Sequence, residues 1–261
     1  MWQLTKNKDW DSLREKFLWV RDMEDVPQDP IFHAEGNVAI HTQMVLEELQ
    51  KLEAYQELDE QTQEILWAAA LLHDVEKRST TVEQDGHIRS PFHAKKGEYT
   101  ARQILYLDIP TPFEIREQVA KLVRYHGFPI WALEKKNAKK QLLKVSLEVD
   151  TSLVAILAEA DMRGRTCEDK EEMLERIEFF KEFCLENKCW GRARHFDSDL
   201  AKFVYFQKAD SYEDYIPFDD TKCDVYVMCG FPGTGKDFYI KKHFPDLPMV
   251  SLDEIRTEFK I

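Results

Sequence analysis

Apolar positions along the first 210 residues recur at helical spacing rather than in alternation. Val38, Val45 and Leu49 make one such stripe. Ile65, Leu66, Ala69 and Leu72 make a second, Val119, Leu122 and Val123 a third, and Val154, Leu157 and Ala160 a fourth. Residues three, four and seven apart share one face of an α-helix, so each stripe predicts a helix with a buried side. The segment Glu83–Pro91 (EQDGHIRSP) breaks the period and predicts a loop or a short hairpin, and residues 167–188 return to an acidic amphipathic helix. The expectation is a mostly α protein, with a helical bundle over residues 1–215.

The pattern changes near residues 217–224 (PFDDTKCD). Val225–Cys229 is a short apolar run that predicts a buried strand, followed by a glycine-rich turn, a helical segment and a second strand at Met249–Leu252. Residues 216–261 read as a linker and the incomplete start of an α/β domain that the chain does not finish. A parallel sheet covered on both faces needs more strands than this length supplies.

Charge narrows the range of functions. The chain carries 36 Lys+Arg against 49 Asp+Glu, a net charge of -13, so the molecule as a whole does not attract nucleic acid. A polyanionic substrate needs local positive charge, from metal ions or from a basic patch. Residues 134–144 (EKKNAKKQLLK) are one local exception, with five lysines and one acid beside Trp131. They are either a solvated helix face or a surface that contacts a strand by charge and stacking. The odd cysteine count, a start (MWQLTKNKDWDSL) unlike an export signal and the lack of any apolar run near the roughly 18 residues of a membrane span lead us to expect a cytoplasmic protein with no membrane partner.

Several residues capable of metal chemistry share the buried stripes. His41 lies between Val38 and Val45, His73 follows Leu66 and Ala69, His126 follows Leu122, and Asp161 follows Val154 and Leu157, all at helical spacing. One inward histidine or aspartate is ordinarily a satisfied core residue. Four helices that each bury one are explained together by a shared cation, because a buried carboxylate must be paired, hydrogen-bonded or neutralised. Nitrogen and oxygen donors without thiolate suit Mn, Fe, Co, Ni, Zn or Mg.

The order His41, His73-Asp74, Asp161 and the segment LLHDVEK resemble the HD phosphohydrolase superfamily, over roughly residues 25–170. The stretches HAEGNVAIHT and EADMRGR resemble the HD domain of bacterial tRNA nucleotidyltransferases. Glu76 departs from the pattern, standing where the family often has glycine. The resemblance implies an HD-domain helical bundle with two divalent metal ions. His41, His73, Asp74 and Asp161 would hold one, and Asp74, His93 and His126 the other, with Asp74 shared. It further implies that Lys77, Arg163 or Arg165 reaches the phosphate, and that His33 is a ligand, a phosphate contact or a general acid.

Near the C-terminus, Gly230, Gly233, Gly235 and Lys236 fit the pattern of a phosphate-binding P-loop between a strand and a helix, although Asp237 stands where Ser or Thr normally contacts Mg²⁺. The segment from Ser251 to Arg256 resembles polynucleotide kinases, in which Asp253 would activate a 5′-hydroxyl and Arg256 would bind the neighbouring phosphate. An HD domain followed by such a start resembles bacterial HD–polynucleotide kinase end-healing enzymes. That likeness implies removal of 2′,3′-cyclic phosphate or 2′-phosphate from nucleic-acid ends, with ATP and Mg²⁺ taken only by a complete kinase domain and no kinase activity from this chain. Two other readings stand beside it: an HD nucleotidase or cyclic nucleotide phosphodiesterase acting on small nucleotides, and a non-catalytic nucleic-acid-binding module.

Overall fold

The computed structural model describes residues 1–259, whose contacts separate into two units, Met1–Ile216 and a second from Pro217 onward. The first unit is built around the helix Glu60–Leu72. Asp59 caps its start by accepting from the backbone N–H of Gln61 and Thr62, and every residue from Ile65 to Leu72 is buried. A helix that is apolar all round must be enclosed by others. Val38–Lys51, Phe113–Tyr125 and Thr151–Arg163 pack against it, and His93–Leu107 runs along Phe113–Tyr125. The stripes in the sequence are the inner faces of these helices. Asn37 and Asp150 cap the first and third of the enclosing helices in the same way as Asp59.

Gly164 sets the closest approach in the bundle. A Cβ on it would lie 2.8 Å from the backbone nitrogen of Val45 and 2.9 Å from its Cα. Only a residue without a side chain lets the end of Thr151–Arg163 touch the backbone of Val38–Lys51, and this contact sets Asp161 beside His41.

A second apolar cluster, with Leu142, Leu143, Phe180 and Cys184 at its centre, involves the Lys170–Glu186 helix expected from the acidic amphipathic stretch. The helices Ala138–Ser146 and Asp199–Gln207 border a groove of about 920 Å³. The segment expected as a loop or hairpin is a hairpin: Val82–Gln84 pairs antiparallel with His87–Arg89. Asp85 and Gly86 both take positive φ, 54° and 76°, the left-handed backbone that a two-residue Asp-Gly connection favours.

The second unit departs from the sequence reading. Val225–Cys229 forms no strand, and Val225, Tyr226 and Val227 are exposed rather than buried. Met249–Leu252 is likewise not a strand, and Leu252 instead opens the helix Leu252–Phe259. A strand exists through the ladder that satisfies its N–H and C=O groups, and no described residue offers these segments one. The glycine turn is followed by the helix Lys236–His243, as expected. No helix among the described residues is long and apolar enough to cross a membrane.

Candidate metal centre

The four inward-facing positions meet. His41 Nε2 lies 3.1 Å from Asp161 Oδ1, 3.7 Å from Asp74 Oδ2 and 3.3 Å from His73 Nε2, and His73 Nε2 lies 3.2 Å from Asp74 Oδ2. On the other side of the same carboxylate, His93 and His126 place Nε2 atoms 3.4 Å and 3.9 Å from Asp74 Oδ1 and 3.4 Å from each other. One donor atom from each of His41, His73 and Asp161 falls within 4.8 Å of the others, and the same holds for Asp74, His93 and His126. The two groups adjoin at Asp74. His41, His73, Asp74, His126 and Asp161 are buried, while His93 is partly open to solvent.

The second ring nitrogens fix the protonation pattern. His73 Nδ1 donates to the carbonyl of Ala70, His93 Nδ1 to that of Ser90 and His126 Nδ1 to that of Val123, at 2.7 to 2.8 Å. A carbonyl only accepts, so each of these Nδ1 atoms carries the hydrogen and the neutral ring leaves a bare lone pair on Nε2. His41 Nδ1 lies 3.0 Å from Glu35 Oε1 without the direction of a hydrogen bond, and the carboxylate favours a hydrogen on that nitrogen electrostatically. Lone pairs therefore point at one another across 3.3 Å and 3.4 Å. Neither oxygen of Asp74 receives a well-directed hydrogen bond, although both are buried. Facing lone pairs and orphaned carboxylate oxygens are repulsive by themselves and become favourable around a cation, so this donor set fits divalent metal.

The charges agree with that reading except at His73, which Asp74 and Asp161 raise despite burial. Burial, opposed by Asp74 and helped by His73 and His93, takes His126 down to about 3, and burial together with Lys77 lowers His93 despite Asp74. Both rings are neutral at neutral pH. Burial would raise Asp74 and Asp161, but His73 and Lys77 beside the first, and Arg165 and His41 beside the second, hold both well below the usual carboxylate range. Neutral imidazoles and ionised carboxylates are the forms that bind metal.

The remaining residues singled out in the sequence divide. Lys77 is buried at the cluster, its Nζ 2.8 Å from Asp74 Oδ2 and 2.7 Å from Gln28 Oε1. His33 is also buried and donates from Nδ1 to Glu35 Oε1 at 2.8 Å, so it is no surface histidine. Arg165 reaches the cluster but grips Asp161 with Nε and Nη2 at 3.0 and 2.6 Å. Its guanidinium is engaged by a carboxylate instead of standing free for a phosphate.

Arg163 is a correction. It is exposed and pairs with Glu159 one helical turn earlier, at 2.8 Å, on the outside of the bundle. Arg163 is the last residue of its helix and turns out, whereas Arg165 lies past the Gly164 cap, where the chain leaves the helix and brings its side chain back to Asp161.

Gly230, Gly233, Gly235 and Lys236 form an exposed turn in the second unit, with Gly233 and Gly235 at positive φ. Lys236 Nζ donates to the carbonyls of Gly230 and Phe231 at 2.9 and 2.8 Å. Asp253 and Arg256 are exposed and lie 3.7 Å from one another on their own helix. Among the described residues neither is hydrogen-bonded or ion-paired to that turn.

Sequence reasoning passed over Glu35 and Gln28. Glu35 accepts from Thr166 N–H through Oε2 at 2.9 Å while Oε1 faces both His33 and His41. The spacing His33-x-Glu35 was its only signal. Gln28 had none, because it lies in an irregular stretch without periodicity.

The geometry defines a buried two-part centre of histidine and aspartate, of the kind that serves metal-dependent hydrolysis. Comparison with known families places an HD domain at residues 37–163, a span that includes His41, His73, Asp74, His93, His126 and Asp161 and leaves out Gln28, His33, Glu35 and Arg165. The HD domain indicates a metal-dependent hydrolase, and the clustered donors match that indication. No curated protein matches the chain.

Proposed function

We propose that this chain is a divalent-metal-dependent phosphoesterase that removes 2′,3′-cyclic phosphate or 2′-phosphate from nucleic-acid ends. The observation that carries the phosphoesterase part is the pair of donor groups adjoining at Asp74, with Lys77 beside the shared carboxylate. His41, His73, Asp74 and Asp161 would hold one cation, and Asp74, His93 and His126 the second. When bound, such cations supply charge stabilisation for a phosphoryl group and lower the pKa of water.

The chain's own residues do the rest. Lys77 holds positive charge at the cluster for an anionic ester. The Nδ1–H groups of His73, His93 and His126 are held by carbonyls and their Nε2 atoms would be taken by the cations, so these rings would not exchange protons with substrate. His33 is free to do so. Its Nδ1–H is held by Glu35 and its Nε2 is uncommitted; burial lowers the ring to about 4 despite Glu35, so it is neutral with a free Nε2 lone pair. Attack of water on phosphorus breaks the bond to the 2′ or 3′ oxygen, and the neutral His33, through its free Nε2, can take the proton the water loses and relay it to that oxygen.

The nucleic-acid part rests on the lysine-rich stretch and on the order of elements. Lys140, Lys144 and Lys202, partly offset by Glu148 and Asp199, line the 920 Å³ groove with Phe203 and Phe206, on whose faces bases could stack. In the same reading, the turn from Gly230 to Lys236 belongs to a P-loop kinase start, where Asp253 and Arg256 would serve a 5′-hydroxyl end and ATP with Mg²⁺ would be taken only by a complete kinase domain.

The test is an RNA oligonucleotide ending in 2′,3′-cyclic phosphate, incubated with Mn²⁺, Ni²⁺, Co²⁺ or Mg²⁺ and with Asp74→Ala alongside. Metal-dependent phosphate release that the substitution abolishes is the expected result. Hydrolysis confined to mononucleotides would move the substrate to the nucleotide pool. No hydrolysis with any metal would leave a binding module.

A further inference from the structure

Gln28 stands at the centre without a role in holding metal. Its backbone is set by the flanking residues: Pro27 bridges to Asn37, and Asp29 closes a turn by accepting from Phe32 and His33 N–H. The side chain is buried, and its Oε1 accepts from Lys77 Nζ at 2.7 Å. An ammonium has no acceptor, so this contact fixes which end of the amide is oxygen. The other end, Nε2, is then a donor, and it is buried with no acceptor within reach. Buried amide N–H groups are nearly always paired, so this one points to an acceptor that arrives with a ligand.

The surroundings give that ligand's chemistry. Nε2 shares one carbon with the oxygen that touches Lys77, and Lys77 lies 2.8 Å from Asp74, the carboxylate where the two donor groups adjoin. An unpaired amide donor beside an ammonium favours an anionic oxygen. Glutamine supplies the donor without adding a charge that would repel an anion or compete for the cation.

We propose that Gln28 is a substrate-binding residue, its Nε2 donating to a non-bridging phosphoryl oxygen of the ester while Lys77 supplies charge to the same group. The proposal rests on the phosphoesterase reading and adds a specific donor to it. Lys77 then has two functions: it supplies charge, and it aims the Gln28 amide.

Calorimetric titration of the Mg²⁺-saturated protein with inorganic phosphate tests this apart from turnover. Gln28→Met, which keeps the side-chain length, is expected to weaken phosphate binding about 10- to 100-fold, the loss of one hydrogen bond to a charged acceptor. Gln28→Glu is expected to weaken it further by setting a carboxylate against the anion. Mn²⁺ binding to metal-free Gln28→Met should stay within about twofold of wild type, which separates loss of the donor from loss of the site. Wild-type phosphate affinity in both folded variants would overturn the role of Gln28 and leave the phosphoesterase reading standing. A wild-type protein that binds metal but neither binds phosphate nor hydrolyses any phosphate ester would overturn both.

Discussion

Replacing Glu35 by glutamine tests the centre most sharply, because the change is isosteric and, of the six donor residues, reaches only His41, through its outer ring nitrogen. Glu35 Oε1 lies 2.8 Å from His33 Nδ1 and 3.0 Å from His41 Nδ1, while Oε2 accepts from Thr166 N–H at 2.9 Å. A glutamine cannot satisfy both ends. With its oxygen on the histidines, its NH₂ meets the Thr166 N–H, donor against donor. With the amide turned over, the NH₂ faces His41 Nδ1 and drives that ring's hydrogen to Nε2, the atom that lies 3.1 Å from Asp161 and 3.3 Å from His73 Nε2. That orientation removes the lone pair a cation would use. Loss of such a supporting carboxylate typically lowers metal affinity about 10- to 100-fold, or about 1.4 to 2.7 kcal/mol. Titration of the metal-free protein with Mn²⁺ or Ni²⁺ by calorimetry, alongside circular dichroism to establish folding, reads this directly. Wild-type affinity in folded Glu35→Gln would refute the argument that Glu35 sets the His41 tautomer.

Three further outcomes follow from the same geometry. Gly164→Ala sets a methyl against the Val45 backbone, where its neighbours already stand 2.8 to 2.9 Å from the new atom, so we expect about 1–3 kcal/mol of destabilisation and weaker metal binding, read by thermal melting and titration. Arg163→Ala, by contrast, removes an exposed pair with Glu159 and should leave both hydrolysis and metal affinity within about twofold of wild type. Acid should weaken the metal-free protein: burial lowers His33 to about 4 and His126 to about 3, so from pH 6.5 downward the unfolded chain takes up protons that the folded one does not, and stability falls. His73, raised by Asp74 and Asp161 despite burial, works the other way, but its contribution is already complete below pH 6.5. A urea midpoint that does not drop between pH 7 and pH 5 would contradict this.

What the sequence disclosed, and what it hid, follows from the range of each signal. His41, His73, His126 and Asp161 were legible because helical period is a local property, and a polar residue on an apolar stripe must face the core. His93 begins its helix, where the period carries little information, and only the family likeness singled it out. Glu35 and Gln28 were hidden because residues 22–37 have no regular period, and their neighbours come from far along the chain: Thr166 for one, Lys77 for the other. Arg163 and Arg165 were not separable in the sequence, since each has a carboxylate four residues earlier, Glu159 exposed for one and Asp161 buried for the other. Val225–Cys229 failed for the opposite reason: its composition suits a strand, but a strand requires a second one alongside.

The contacts that set the imidazole hydrogens also belong to the scaffold. Ala70 and Val123 lie in the final turns of Glu60–Leu72 and Phe113–Tyr125, where backbone carbonyls lack helical partners, and His73 and His126 cover one each. Each of these residues is therefore a helix stop as well as a donor. Alanine at either position would fray a core helix and empty the centre in one stroke, so lost activity in such a variant would not by itself reveal a ligand. The same economy means that the centre is shaped by helices that already have their ends sealed. Unlike small domains that unfold when stripped of zinc, this bundle should keep its helices when treated with a chelator and be ready to take up metal again.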